Sequence, residues 1–333
     1  MTLGTSKRED AMRHIFAVML AGILGSGSAG LVAQEAYPSR PILLTHGNTA
    51  GSNSDLMARI IADPLSARLG QPVIVESRPG AGQTIAFGRI ASGVPDGYTL
   101  IMMHGGHPIA GAMYKSLKYD TVEDFQMLST LIEYPFVLAV RQDHPLKSMA
   151  DLLAYAKANP GKVTFSSTGV GTSQHLTGVL LQSKAGIELN HISYRGATQA
   201  VQDVLGGRVD VLIETLTQVA PLISSGQMRG LAVTSGKVWR TLPQVPPLSD
   251  TVKEFEVNSW MGVATTKGVP QPIVDRLVRE IKAVLQMPTV QERFEQPGNA
   301  VRDSTPEEMR NRVAAELAMW KQVVKDAKIP QQE

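Results

Sequence analysis

Ile42-Leu43-Leu44, then Thr45-His46-Gly47-Asn48-Thr49-Ala50-Gly51-Ser52-Asn53-Ser54-Asp55, then Leu56-Met57-Ala58-Arg59-Ile60-Ile61, reads as strand, polar loop and helix in immediate succession. The apolar run is short enough for a strand, and Leu56, Ile60 and Ile61 recur at the spacing of one helix face. Ser54 or Asp55 suits the cap of that helix. A helix start leaves unpaired backbone N–H groups and a partial positive charge, so such a loop can hold a small carboxylate without a lysine or a metal. The same residues also make an ordinary, well-capped connection, and the loop alone does not separate the two readings.

A second stretch repeats the logic. Val163-Thr164-Phe165 is a strand of β-formers, and Ser166-Ser167-Thr168-Gly169-Val170-Gly171-Thr172-Ser173-Gln174-His175 is a polar, glycine-punctuated loop at the start of another helix. Two such loops would give two walls of donors around one ligand. Ser173 and His175 could instead suggest a serine hydrolase, but a nucleophilic serine needs a base within reach and a third group to orient it, and the glycine-serine-glycine elbow is absent.

Between and beyond the loops, short apolar runs alternate with helical patterns. Val73 to Glu76 and Tyr98 to Met103 read as strands, and Thr84 to Ala91 as a helix after the turn-rich Arg78-Pro79-Gly80-Ala81-Gly82-Gln83. Phe136 to Val140 is a further strand, Met149 to Ala158 a helix behind Ser148, and Leu231 to Ser235 and Trp260 to Ala264 strands. Helices over about 272–285, 288–294 and 306–327 close the chain, with Glu307 and Glu308 first and Lys321 and Lys325 late, as a helix dipole favours. This alternation predicts an α/β fold with a mainly parallel sheet, whose ligands sit at the carboxyl ends of the strands.

His104 and His107 fall at such an end. A metal reading is weak, since no carboxylate or third histidine stands nearby and Gly105-Gly106 oppose a rigid helical presentation. One of the two is expected to line the cleft as a hydrogen-bond donor, and the position assigned there is His107. Arg195 could grip a ligand carboxylate with two prongs or pair with a carboxylate of the protein. Glu214, ending an apolar strand, is expected to face the cleft, where it would repel a carboxylate but suit a hydroxyl, an amine or a bridging water.

Lys plus Arg total 32 against 30 for Asp plus Glu, a formal +2, so nothing in the balance suggests nucleic acid. No cysteine is present, which removes disulfides, thiol catalysis and cysteine-ligated metals from consideration. Lys7, Arg8 and Arg13 before an apolar core from Ile15 to Leu24 and a small-residue tail read as an export signal over residues 1–36, with Ala29, Ala33 and Ala36 as alternative ends. No later segment approaches the roughly 20 apolar residues of a membrane helix.

The ordered motifs resemble the Bug receptors, the periplasmic substrate-binding proteins of tripartite tricarboxylate transporters. They are Tyr37-Pro38-Ser39-Arg40-Pro41-Ile42, Gly70-Gln71-Pro72-Val73, Glu76-Ser77-Arg78-Pro79-Gly80-Ala81-Gly82, Pro95-Asp96-Gly97-Tyr98-Thr99-Leu100, Ser166-Ser167-Thr168-Gly169, Tyr194-Arg195-Gly196, Leu205-Gly206-Gly207-Arg208-Val209-Asp210-Val211, Leu231-Ala232-Val233-Thr234-Ser235 and Ser259-Trp260. The resemblance implies a two-lobed periplasmic binding protein fold, type II-like, with two α/β domains joined by a two-segment hinge. Residues 37–136 with 257–333 would form one domain and 137–256 the other. It implies a monomer without cofactor or metal, which closes over a small organic acid and presents it to the membrane permease subunits. The ligand carboxylate would be held by backbone groups, hydroxyls and water at the two loops.

The expected ligand-binding residues are Asn48, Ala50, Gly51, Ser52 and Asn53 of the first loop, Ser167, Thr168, Gly169, Thr172 and Ser173 of the second, and His107, Arg195 and Glu214. This chain departs from the family pattern in the first loop. Asn48 replaces an aromatic, Ser52-Asn53 replace two glycines, and Glu214 stands where an aspartate is common. The ligand is therefore expected to differ from the commonest aliphatic dicarboxylates. A receptor reporting to a membrane sensor kinase is the alternative; an enzyme would need a catalytic constellation that these residues do not assemble.

Overall fold

The computed structural model describes residues 37–333, so the export signal expected over residues 1–36 lies outside the described residues. The chain divides at Ser39, and Arg40–Glu333 form the unit that holds everything described below.

Apolar runs bounded by turns become strands, buried in the middle of the sheet and partly exposed at its β2 edge. Ile42–His46 (β1) pairs in parallel with Val73–Ser77 (β2) and Thr99–His104 (β3). Ile42, Leu44, Leu100 and Met103 are fully buried, as expected of a parallel sheet covered by helices. Asn53–Leu69 (α1) follows β1, Thr84–Ala91 (α2) follows β2, and Gly106–Met113 (α3) follows β3. On α1 the buried face carries Met57, Ile60, Ile61, Leu65 and Leu69, while Leu56 is exposed. The apolar stripe is thus turned by one residue from the expected one, because Met57 and not Leu56 precedes Ile60 and Ile61 on the buried side.

Phe125–Arg141 (β4) is the backbone of the fold. Only its second half is legible as a strand from sequence, yet it runs for 17 residues. Its first part pairs antiparallel with the distant strand Asn258–Thr266 (β9), ending at Pro135 opposite Asn258. Its second part pairs with Val211–Thr215 (β7) and Met228–Val233 (β8). Proline supplies no N–H to a ladder, so the change of partner falls where the ladder is already interrupted. The next amide, Phe136 N, donates instead to Thr234 Oγ1 at 2.8 Å, and Val257 N donates to Thr234 O at 2.9 Å. The chain therefore crosses between two sheet regions at Pro135–Phe136 and again at Val257–Asn258.

The second region adds Thr164–Ser167 (β5), parallel to both Asn190–Ser193 (β6) and β7. The full order is β2-β1-β3-β9-β4-β7-β5-β6, with Ala300–Val301 (β10) and β8 also paired to β4. The sheet is mixed, parallel at its outer strands and antiparallel where β4 and β9 join the halves. Around the second half lie Met149–Ala158 (α4), Ser173–Ala185 (α5), Ala197–Leu205 (α6) and Leu216–Ser224 (α7).

Gln271–Leu285 (α8) and Pro288–Glu295 (α9) follow β9, and Pro306–Asp326 (α10) ends the helices. Thr305 and Glu308 form a reciprocal capping box at the start of α10. Met309 and Val313 of this helix pack with Phe87, Met103 and Trp260 in one core. Trp320, Val323 and Val324 pack with Phe136, Leu176 and Phe255 in another. One helix thus straps both cores together.

Candidate functional site

The carboxyl ends of β1, β3, β5 and β7 converge on one cavity of about 790 Å³. Asn48–Ser54 line one side and Thr168–Gln174 the other, so the two loops recognised in sequence do face each other.

The first loop is tied internally. The helix cap is Ser52, which accepts from Asp55 N at 3.4 Å, and Asp55 lies in the first turn. Asp55 turns its carboxylate back to accept from Gly51 N at 3.0 Å, from Arg59 Nε at 3.0 Å and from His46 Nε2 at 3.1 Å. These contacts, Arg59 foremost and then Gly51 and His46, hold the buried carboxyl at about 2, below the ordinary aspartate range. Ser54 Oγ donates to Asn48 Oδ1 at 2.9 Å, and Ser77 Oγ donates to Asn48 O at 2.6 Å, so Asn48 is held at both backbone and side chain. Gly51 has φ +77°, the left-handed region that favours glycine.

The second loop is also tied, by hydroxyl and imidazole groups, with Gly171 N donating to His175 Nδ1 at 3.2 Å. Thr172 Oγ1 donates to Gly169 O at 2.8 Å and accepts from His175 N at 3.4 Å as the cap of α5. Ser167 is buried beneath the loop; its hydroxyl lies 3.0 Å from Gly169 O and 2.6 Å from His191 Nε2, and it accepts from Gly169 N. A hydroxyl has one proton, so both side chains shape the loop and leave no donor for a ligand. What remains free at each helix start is backbone N–H, chiefly of Asn53 and Ser54 on one side and Ser173 and Gln174 on the other. Gly171 has φ +78°, and a Cβ there would lie 3.2 Å from Met113 Cε, which explains a glycine at the closest approach of this loop to α3.

Of the expected residues, Asn48, Ala50, Gly51, Ser52, Asn53, Thr168, Gly169, Thr172, Ser173 and Glu214 line the cavity. Ser167, His107 and Arg195 do not. His107 is 1% exposed, donates from Nε2 to Thr121 O at 2.8 Å, and packs its ring between Phe87, Tyr119 and Phe125. It is a core histidine, because the start of α3 turns it away from the strand end and into the apolar layer. His104, the last residue of β3, takes the lining position. Its Nδ1 accepts from Gly106 N, so Nε2 carries the proton and donates to Gln83 Oε1. Burial, with His46 adding to it, lowers His104 to about 4, so the ring is neutral at neutral pH. Arg195 is exposed, on the turn whose next residues, Gly196 and Ala197, do reach the cavity.

The sequence reading missed Tyr134, Gln174, Gln218, Ser259 and Gln332, which also line the cavity. The Tyr134 hydroxyl meets the side chains of Ser259 and Asn53, joining β4, β9 and the first loop. Gln174 lies inside the second loop and Ser259 in the Ser259-Trp260 motif, so both could have been flagged; Tyr134 and Gln332 carry no local signal. Among the lining residues Glu214 is the single formal charge, and no lysine or arginine is present.

The chain matches the family model described as the tripartite tricarboxylate transporter family receptor over residues 57–329. Protein BugT of Bordetella pertussis is 35% identical over 318 residues, covering 95% of this chain and 98% of BugT. The solved structure of the periplasmic binding protein BugD is 34% identical, with a TM-score of 0.77 over 89% of this chain and 100% of BugD. An R. palustris protein, Rpa4515, solved with adipate, is 30% identical, with a TM-score of 0.79 over 89% of this chain and 100% of its own.

Proposed function

This chain belongs to the tripartite tricarboxylate transporter receptor family, and we propose that it captures a small organic acid in the cavity between its two loops and delivers it to the membrane permease subunits of such a transporter. The observation that carries this reading is the placement of two strand-to-helix loops on opposite sides of one cavity, each with helix-start amides beyond the one its capping side chain accepts. Oriented backbone amides complement a carboxylate without burying a lysine or arginine, and the lining holds neither. The adipate bound by the R. palustris relative agrees with a carboxylate ligand.

The family model describes a receptor, which supports a binding role for this chain. It works in the periplasm, exported by residues 1–36, and none of its described helices is long and apolar enough to cross a membrane. Residues 37–136 with 257–333 and residues 137–256 form the two lobes, hinged at Pro135–Phe136 and Val257–Asn258, with α10 as a strap across both.

A thermal-shift screen of the mature protein against mono-, di- and tricarboxylates tests the reading. An acid at about 100 times its dissociation constant should add roughly 2.7 kcal/mol of stability and raise the melting temperature clearly. No shift with any acid, in protein shown by mass spectrometry to carry none, would refute it.

A further inference from the structure

Glu214 closes β7 at the floor of the cavity and is 3% exposed. Three N–H contacts converge on its two oxygens: Gln174 Nε2 lies 3.1 Å from Oε1 and 3.2 Å from Oε2, and Thr215 N donates to Oε1 at 2.7 Å. This is the donor pattern of a carboxylate, with lone pairs still open toward the cavity. No lysine or arginine among the lining residues answers it. The other lining residues are neutral, His104 included, and Tyr134, Gln218 and Thr198 supply only dipoles. Burial without a cation raises the carboxyl above its ordinary range, which marks the position as electrostatically incomplete.

Gln174 connects this carboxylate to the second loop. Its backbone N–H belongs to the start of α5, and its side chain holds Glu214, so an anion at the helix start and a donor at Glu214 would be neighbouring groups on one small molecule. A second carboxylate in that place would meet Glu214 as a like charge.

Resting on the reading of the cavity as an acid site, we infer that the ligand is a hydroxy- or amino-substituted acid, whose carboxylate sits at the loop amides while its hydroxyl or ammonium donates to Glu214. Plain alkanoic acids and dicarboxylates leave Glu214 unanswered and bind more weakly.

Succinate, malate and aspartate test this, because they share a four-carbon dicarboxylate frame and differ in the donor. Titration calorimetry on the wild-type protein should find malate or aspartate at least about tenfold tighter than succinate, the size of one hydrogen bond to a charged group. In Glu214→Gln the preference should collapse to within about threefold, by weaker binding of the donor-bearing acid and unchanged or tighter binding of succinate. Glu214→Met, an apolar side chain of similar length, gives the same comparison should glutamine not be accommodated. Succinate equal to or tighter than both donor-bearing acids in the wild-type protein would overturn the inference while leaving the acid receptor intact. So would an equal loss for all three acids in the variants. Silence toward these three and toward the whole carboxylate screen would instead refute the acid site itself.

Discussion

The two loops that face each other across the cavity look alike in sequence and differ in what already occupies them. Loop 47–55 carries its own anion: Asp55 lies in the first turn of α1 and takes the Gly51 amide, with Arg59 and His46 completing its contacts. Loop 166–175 has no acidic residue in the first turn of α5, and only hydroxyl and imidazole groups shape it. A helix start that already holds a carboxylate has less to offer another, since the partial charge there is limited and falls off within one turn. Under the proposed function the comparison gives the two walls different work: the second loop would receive the ligand carboxylate, and the first would be a prebuilt wall whose side chains, Asn48 and Asn53, set shape and donors.

If that division is right, damage to the two loops should register in different measurements. The largest effect is expected for Asp55→Asn. The folded carboxyl titrates at about 2, below its ordinary value, so its stabilisation is fully present above the usual aspartate range and is lost as pH falls toward 2. At neutral pH the variant should lose about 2 kcal/mol in urea unfolding, and its stability should decline less than the wild type's between about pH 4 and 2. Its affinity for acids, measured where it is folded, should change by less than about threefold. An affinity loss as large as the stability loss would break the comparison.

The middle effect is expected for Thr172→Ala. The hydroxyl both caps α5 and donates to Gly169 O, so its loss frees the loop that orients the receiving amides. Calorimetry should show acid binding weaker by roughly tenfold, with a stability cost near 1 kcal/mol. Unchanged affinity would move the carboxylate to the first loop.

The smallest effect is expected for Arg195→Ala. The side chain is exposed and does not line the cavity, so affinity should stay within about twofold and stability within about 0.5 kcal/mol. A large affinity loss would mean that the arginine swings into the cavity with ligand, and the second wall would then hold a cation after all.

Local pattern made much of this protein readable. Ile42 to His46 into Asn53, and Thr164 to Ser167 into Ser173, are strand-to-helix passages announced by apolar runs, small polar loops and capping residues, and the structure places both loops on the cavity. Even so, the cap of α1 is Ser52 and not Ser54 or Asp55, because Asp55 is drawn back by the Gly51 amide and Arg59. The first half of β4 is not legible, since Gln126, Ser129, Thr130 and Glu133 interrupt its apolar run and only pairing with β9 makes a strand of it.

The sequence by itself determined the alternation of strands and helices, the two polar loops at helix starts, the absence of thiol chemistry and the family pattern, because each rests on contacts within a few residues of chain. Tertiary structure decided which side chains the cavity receives. His104 and His107 are three residues apart, yet one ends a strand at the cavity and the other turns into an aromatic core. Glu214 meets Gln174 across 40 positions of chain, and Tyr134 meets Asn53 and Ser259 from three separate elements. Such meetings depend on how β4 and β9 are paired and on how α10 straps the two cores, and long-range packing of that kind leaves no periodic trace in the residues that meet.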